Sequence, residues 1–413
     1  MARSPFLVNR LWEKGYGVLK VQFALPPEIF LCSDLKVRFV VLPFIFLVVS
    51  SCASLKENKA TQEKDEQEGS AILTVAKQLE NDVYELCQPC GRRVGTEGHQ
   101  IAERWVEQRL SEIGCLPYRG DRFSLPYEMS GVKFTNFAGV IAGQDRTLPP
   151  ILIGAHYDSV IDAPCADDNG AAVAISLAVA NQISKQGGLE RDLVIAIFDA
   201  KEPPYFQTPF MGSNRFYEDQ IDERGIHFAI ISDLVGHDVA IPSDLTKGIP
   251  AANLFTAQLA PLTFMTGAES HPALPDLLSG IKPPEGMKML ATLNKYVGDM
   301  SDHGIFRENN VPYVFLSCGR WEHYHRPTDT PDRLNYSKMA AITSYCLDLC
   351  WTASGTSLAE TTSGGDSLEF EKQTWQKALG VMRRPLAKML GISDFDSREN
   401  IDRAAAKFVG LGL

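Results

Sequence analysis

The stretch VIAIFDAKEPPYFQT, residues 194–208, begins as an unbroken apolar run, and a cluster of charged residues follows directly at 199–202. An apolar run of this length is typical of a strand that is buried on both faces of a sheet. Similar runs occur at 151–154, 228–232 and 311–317, and helical patterns such as 171–186 lie between them. Strands that alternate with helices predict an α/β fold with a mostly parallel, twisted central sheet flanked by helices.

The composition limits the classes of protein to which the chain can belong. The chain has 413 residues, 45% of them apolar, and a formal net charge of -11. This length and apolar content suit one large domain, or two smaller ones, with appendages. The negative charge argues against a broad nucleic-acid-binding face, so we expect no nucleic acid partner.

Residues 1–52 have the features of a leader. The apolar run 39–49 follows basic residues and is too short to span a bilayer comfortably, which is typical of a secretory signal. Residues 49–52, VSSC, resemble a bacterial lipobox, so we expect lipidation at Cys52. The chain is therefore expected to be exported to the bacterial cell envelope and held by a lipid anchor that faces the periplasm or the exterior. A plain signal peptide or a weak membrane anchor is the alternative.

Three further segments follow the leader. Residues 53–70 are rich in Lys, Glu and Gln and contain no aromatic residue, which predicts a flexible tether. We expect the globular domain at 71–353, and a linker with a helical C-terminal extension at 354–413. Seven cysteines lie beyond the leader, so complete pairing within the chain is impossible. Disulfides and buried free thiols are both compatible with the sequence, and Cys87 and Cys90 have the spacing of a zinc or redox motif.

Histidines and carboxylates lie just after the predicted strands, before a predicted helix and in a motif near residue 325. Sites in open α/β sheets form outside the carboxyl ends of the strands, so we expect these side chains to converge. Two histidines and three carboxylates suit a pair of zinc ions when one carboxylate is shared. The candidate positions are His156, Asp158, Asp167, Asp168, Glu202, Asp233, His323, His325 and Asp329.

From about residue 92 to 336 the chain resembles the co-catalytic zinc aminopeptidases and their relatives, the glutaminyl cyclases, in a bacterial secreted branch. The resemblance rests on RRVGTEGHQIAERWV, GAHYDS, ADDNGAA, EPPYFQTPFMGS, SDHGIF and YHRPTDTPD. It implies a single zinc-aminopeptidase-like domain that holds two zinc ions, with one ion as the alternative. One ion would be held by His156, Asp168 and Asp233, and the other by Asp168, Glu202 and His325.

The resemblance also implies roles for residues around the metal ligands. Asp158 would orient the ring of His156, and the peptide bond between Asp168 and Asn169 would be cis. Asp302 lies in SDHGIF, where relatives place residues near the metal site, and it is a further catalytic candidate. A helix N-cap is the other interpretation of Asp302.

Position 201 departs from the family pattern. Relatives have two glutamates at 201–202, of which the first is the general base and the second is a metal ligand. This chain keeps Glu202 but has Lys201 at the position of the base. A protonated lysine about 5 Å from a zinc ion meets roughly 7 kcal/mol of repulsion at an effective dielectric constant of 20. We therefore expect Lys201 to turn away, to lose its proton, or to coexist with fewer metal ions.

The resemblance implies zinc-dependent, aminopeptidase-type hydrolysis of peptide substrates, weakened by the lysine at the base position. One alternative is a catalytically inactive relative that binds metal or peptide. A second is a glutaminyl cyclase-like acyltransferase. Cyclases commonly have Trp before the final histidine, and this chain has Tyr324, which favours the peptidase.

Overall fold

The computed structural model describes residue 69 and residues 72–240, 252–358 and 364–410. The predicted leader, with Cys52, and all of the predicted tether except residue 69 lie outside the described residues. No helix in the described part of the chain is both long enough and apolar enough to cross a bilayer.

Within the described residues, nine strands form one sheet in the order β1-β3-β5-β4-β6-β9-β7-β8, with β2 also paired to β3. The strands are β1 (Leu116–Pro117), β2 (Ser124–Met129), β3 (Val132–Ile141), β4 (Ile151–His156), β5 (Leu193–Phe198), β6 (Phe228–Ser232), β7 (Leu262–Thr266), β8 (Lys288–Ala291) and β9 (Tyr313–Ser317). The four central strands β5, β4, β6 and β9 run parallel, and they coincide with the apolar runs in the sequence. Antiparallel pairs join β3 to β5 and β7 to β9 on the two sides. The predicted α/β class is confirmed.

Helices flank the sheet. The α-helices are α1 (72–86), α2 (Glu97–Ile113), α3 (Ala171–Lys185), α4 (Gly212–Gln220), α5 (Ala252–Leu259), α6 (Leu274–Ser279), α7 (Asn294–Val297), α8 (His303–Glu308), α9 (Tyr336–Ser354), α10 (Leu368–Leu379), α11 (Arg383–Leu390) and α12 (Arg398–Gly410). Successive side chains of a strand point to opposite faces, so each central strand contributes to two cores. In β4, Ile151 and Ile153 join the core formed with α2, α3 and α9, whereas Leu152 joins the core that includes Phe216 of α4.

Residues 364–410 belong to the same compact unit as the sheet. Helix α10 packs against β8, where the indole N–H of Trp375 donates a hydrogen bond to the carbonyl oxygen of Ala291 at 2.9 Å. Phe395 and Phe408 pack on the same indole ring, with ring centroids 4.9 and 5.4 Å away. The helical character expected of the C-terminal extension is observed, while the domain boundary expected at residue 353 stays a prediction.

The seven cysteines beyond the leader are all free in the described structure. Six of them are buried, and Cys90 is exposed. Of the two states compatible with the sequence, the structure shows free thiols.

Candidate functional site

The carboxyl ends of three neighbouring parallel strands lie side by side at one edge of the sheet. β4 ends at His156, β5 is followed by the segment 199–202, and β6 is followed by Asp233. The strands neighbour one another in the order β5-β4-β6, so their first polar residues meet at this edge. The sheet thereby brings together residues that are up to 77 positions apart in the sequence, from 156 to 233.

The five predicted metal ligands form two groups that share Asp168. In one group, His156 Nε2 lies 3.6 Å from Asp168 Oδ1 and 3.7 Å from Asp233 Oδ2. In the other, His325 Nε2 lies 3.1 Å from Asp168 Oδ2 and 3.1 Å from Glu202 Oε2. Donor atoms bound to one tetrahedral zinc ion at about 2.0–2.1 Å are about 3.3 Å apart. Both groups are therefore close to the spacing that zinc requires.

The metal-binding atoms of these residues are largely without hydrogen-bond partners among the described residues. Unpaired buried polar atoms are costly and rare, so their concentration in one place indicates a cation site. Imidazole nitrogens and carboxylate oxygens are also the donor types that zinc binds. The residues present therefore fit zinc. The atoms concerned are His156 Nε2, both Oδ atoms of Asp168, Glu202 Oε2, Asp233 Oδ1 and His325 Nε2.

Asp158 links three residues of the site. Its Oδ1 atom lies 3.1 Å from Nδ1 of His156, the ring nitrogen that faces away from the other ligands. The same carboxylate accepts hydrogen bonds from the backbone N–H groups of Lys201 at 3.0 Å and Glu202 at 2.9 Å. Asp158 therefore both orients the imidazole, as the resemblance implies, and holds the turn that presents Lys201 and Glu202.

Lys201 points into the site and is only 4% exposed. Its Nζ atom lies 2.9 Å from Glu202 Oε1 and 2.9 Å from Asp233 Oδ2. Burial lowers the pKa of the ammonium, but the charges of Asp233 and Glu202 outweigh burial, so the net pKa is raised well above its usual value. Of the three outcomes expected for Lys201, turning away from the ligands is not what the structure shows.

The loop that presents Asp168 is fixed by residues distant in sequence. The carboxylate of Asp329 accepts the backbone N–H groups of Asp167 at 2.9 Å and Asp168 at 3.2 Å. The Asn169 side chain donates to the carbonyl oxygen of Ser232 at 2.9 Å. The peptide bond between Asp168 and Asn169 is cis, as the resemblance implies.

Four of the nine candidate side chains lie outside the ligand groups. Asp158 and Asp329 support the ligands as described above, and the other two are Asp167 and His323. The carboxylate of Asp167 accepts from Gly236 and lies 2.6 Å from Nδ1 of His237. His323 lies 2.9 Å from the hydroxyl of Thr328 and packs against Trp321. Both side chains have local partners, so the expectation that all candidates converge holds for the five ligands and their supports alone.

Asp302, the further catalytic candidate, is buried at the start of α8. Asp302 occupies the N-cap position of α8, as the other interpretation has it, but its side chain makes no capping hydrogen bond. Burial raises the pKa of this carboxyl to about 6, and the charge of His156 counteracts burial in part. The preceding residue, Ser301, donates a hydrogen bond to Asp233 Oδ2 at 2.7 Å, a contact that the sequence did not indicate.

Arg92 and Arg93 carry the same charge but differ in burial. Their adjacent charges suggest two surface residues, and for Arg92 this is wrong, because it is fully buried. Its guanidinium donates to the carbonyl oxygens of Tyr157, Pro164, Cys165 and Asp168. Arg93 is exposed and pairs with Asp162 at 2.8 Å. Arg92 therefore braces the chain segment between two metal-site residues, Asp158 and Asp168.

Comparison with known proteins shows to which family the chain belongs. Residues 136–350, which are more than half of the chain, match Peptidase family M28. The chain belongs to this family. M28 peptidases are zinc-dependent, and the M28 match in this chain contains all five residues of the two ligand groups.

Similar proteins are found both in sequence and in structure. The uncharacterized protein YfbL of Escherichia coli (strain K12) is 26% identical over 220 residues, covering 50% of this chain and 67% of YfbL. The LapA aminopeptidase of Legionella pneumophila has a TM-score of 0.54 and 16% identity, covering 71% of this chain and 75% of LapA. The glutaminyl cyclase of Porphyromonas gingivalis has a TM-score of 0.51 and 17% identity, covering 66% and 96% of the two chains. At these identities the two structures show that the M28 fold is shared.

The M28 site borders a cavity of about 280 Å³. Lys201 and Asp233 contribute to its wall beside the ligand groups, and most of the remaining wall is apolar. Part of that wall comes from α10 and α12, which lie outside the residues that match the family. The sequence showed these helices only as apolar patches around Trp375 and Phe408, with no signal for where they pack. The apolar wall residues are Leu234, Phe264, Leu290, Val297, Met300, Phe315, Trp375, Ala405, Phe408 and Val409.

A second group of possible metal-binding side chains lies apart from the M28 ligands. It consists of His99, Glu103 and Asp199, whose donor atoms lie within 4.8 Å of one another. His99 Nε2 lies 2.9 Å from Asp199 Oδ1, and the Asp199 carboxylate also accepts the N–H groups of Ala200 and Thr135. These hydrogen bonds tie α2 to the end of β5, which gives the group a structural role.

Proposed function

We propose that the chain is a zinc-dependent peptidase of the aminopeptidase type, whose rate of hydrolysis is lowered by Lys201. The observation that supports this most directly is the convergence of five ligand residues whose buried donor atoms are unpaired. When bound, zinc supplies Lewis acidity and lowers the pKa of water. Asp158 orients His156 and the 201–202 turn, while Lys201 stands where the relatives have a carboxylate that accepts a proton.

Zinc content and hydrolysis of aminoacyl-anilides, measured on the same preparation, test the proposal. After zinc loading and removal of free metal, we expect at least one zinc ion per chain and slow release of the anilide product. The Lys201→Glu variant serves as the active reference in the same panel. A folded protein that keeps no zinc would contradict the metal site, and zinc-loaded protein inactive in both forms would contradict the peptidase.

A binding relative without hydrolysis is the second candidate function, and Lys201 is the observation that favours it. The ammonium lies 2.9 Å from one oxygen of Glu202 and 2.9 Å from one oxygen of Asp233, so it occupies the space where a general base would act. This candidate predicts zinc and peptide binding by the wild-type chain without turnover. Turnover by the wild-type chain would favour the peptidase.

The size and the apolar wall of the cavity favour a substrate with a large apolar side chain. Its volume of about 280 Å³ and its predominantly apolar wall suit an aliphatic or aromatic group. Because Lys201 and Asp233 form part of the same wall, a side chain in the cavity would belong to a residue next to the bond at the metal site. We propose peptides with an N-terminal residue such as Leu or Phe as substrates.

Hydroxamates test this preference without requiring turnover, because the hydroxamate group itself chelates zinc. We expect L-leucine hydroxamate to bind at least about tenfold more tightly than glycine hydroxamate, since the cavity buries several additional carbon atoms. Val409→Arg places a charge at the cavity wall, where Val409 is 41% exposed, and should reduce this ratio at least about threefold. Isothermal titration calorimetry measures both affinities.

Val381→Arg is the matched control for the hydroxamate experiment. Val381 lies in the same C-terminal region, is 85% exposed and is not part of the cavity wall. Its substitution should leave the leucine-to-glycine ratio unchanged. Equal binding of the two hydroxamates by the wild-type protein would contradict the apolar preference, and equal effects of the two Arg substitutions would contradict the role of α12.

We also propose that the mature protein is an envelope lipoprotein that begins at lipidated Cys52. The support is the basic-apolar leader with the VSSC tetrapeptide at 49–52. Cys52→Ser should leave an unprocessed precursor or release a soluble form, whereas the wild-type chain should partition into detergent. Phase separation and intact-mass analysis measure this, with the distant Cys90→Ser as the control. Mature protein that retains residues 1–34 would contradict the proposal.

A further inference from the structure

Lys201 places a positive charge among three carboxylates that are predicted to bind metal. Its Nζ atom is 2.9 Å from Glu202 Oε1 and 2.9 Å from Asp233 Oδ2, so one ammonium bridges a ligand of each predicted zinc ion. The lysine is buried, and its backbone N–H is held by Asp158. The ammonium is therefore a fixed part of the site.

The two ligand groups are not equally available to a metal ion. Asp233 Oδ2, the Asp233 oxygen near His156 Nε2, is contacted by the ammonium of Lys201 and by the hydroxyl of Ser301. In the other group, His325 Nε2 lies 3.1 Å from Asp168 Oδ2 and from Glu202 Oε2, and these three atoms have no further hydrogen-bond partner among the described residues. Lys201 contacts only the other oxygen of Glu202, Oε1. A metal ion can therefore enter the His325 group without displacing the ammonium. In the His156 group the ammonium already holds the Asp233 oxygen nearest to His156 Nε2, and only Oδ1 of Asp233 is left without a partner.

The sum of the charges in the site also favours one zinc ion over two. The carboxylates of Asp168, Glu202 and Asp233 together carry -3. One zinc ion and one ammonium carry +3 and neutralise them, whereas two zinc ions and the ammonium would leave an excess of +2 before any anion binds. An uncompensated charge in a buried site is strongly unfavourable.

We propose that the ammonium of Lys201 takes one of the two cation positions of the M28 site, and that the chain holds a single zinc ion at Asp168, Glu202 and His325. This inference rests on the proposed zinc site but not on its peptidase activity. Lys201 then acts toward the ligands as a tethered cation. It stabilises Asp233 without a metal ion at that carboxylate.

Metal stoichiometry tests the inference directly. Wild type and variants are loaded with excess zinc and desalted. Elemental mass spectrometry then measures the number of zinc ions per chain. We expect one zinc ion per wild-type chain and two per Lys201→Met chain, because Met has a similar length but no charge. Lys295→Met, which removes an exposed lysine, is the matched control and should keep one zinc ion. Two zinc ions in the wild-type chain, or one in a folded Lys201→Met chain, would overturn the inference.

The two histidines show which position is filled, even if the Lys201 variant does not fold. In the otherwise wild-type chain, His325→Ala should lose the zinc ion, whereas His156→Ala should keep it. Circular dichroism confirms that each variant is folded. The reverse pattern, or loss from both variants, would contradict the proposed position. A wild-type chain that binds no zinc would instead contradict the proposed function itself, so the two failures are distinguishable.

Discussion

Replacing Lys201 with glutamate is expected to raise kcat for the hydrolysis of aminoacyl-anilides by at least about tenfold. Loss of a general base typically costs about 10²–10⁴-fold, and this substitution returns a carboxylate to the position of the proton acceptor. It also removes an ammonium that lies 2.9 Å from Glu202 and from Asp233, which frees both carboxylates for metal binding. Steady-state kinetics on zinc-loaded wild type and variant measure the effect, with the zinc content of each preparation determined alongside.

Lys201→Ala distinguishes the two roles that the lysine could have. If Lys201 only replaces a lost base, Ala is neutral or raises kcat slightly. If a deprotonated Lys201 itself accepts the proton, Ala abolishes hydrolysis and Glu does not improve on the wild type. A wild-type chain with a high kcat that neither substitution changes would show that another group accepts the proton. Asp302 would then be the first residue to substitute, because burial raises its pKa to about 6.

The parts of the site that could be predicted from sequence are those fixed by the parallel sheet. The apolar runs identify β4, β5 and β6, and parallel strands place their carboxyl ends at one edge. A histidine or carboxylate directly after such a run must therefore lie at that edge, as His156 and Asp233 do. The cis peptide after Asp168 and the loop position of His325 follow from the resemblance to relatives and not from the strand pattern.

The sequence could not predict the features that depend on contacts between distant segments. Arg92 is buried because carbonyl oxygens of the segment 157–168 surround it, and no local pattern distinguishes it from exposed Arg93. The packing of Trp375 and Phe408 beside the site likewise depends on how α10 and α12 fold back onto β7 and β8. The direction of Lys201 is decided by the charges of Glu202 and Asp233, which only the folded site brings within reach.

Arg92→Met is expected to be the most destabilising single substitution discussed for this chain. The guanidinium is fully buried and donates to four carbonyl oxygens, two of which, those of Tyr157 and Cys165, it contacts at 2.6 and 2.9 Å. Methionine fills a similar volume but leaves these acceptors without their donor. Each unsatisfied buried group costs about 1–3 kcal/mol, so the free energy of unfolding should fall by at least about 3 kcal/mol. Urea denaturation followed by circular dichroism measures this.

Arg93→Met provides the matched control, since it removes the same charge from the adjacent residue. The pair that Arg93 makes with Asp162 is half-exposed, and exposed pairs contribute only about 0–1 kcal/mol. The two variants should also differ in zinc affinity, because Arg92 braces the segment that presents Asp168, whereas Arg93 contacts only the side chain of Asp162 in that segment. Equal stability of the two variants would show that water or a rearranged loop satisfies the carbonyl oxygens. Arg92 would then be dispensable for positioning the shared ligand.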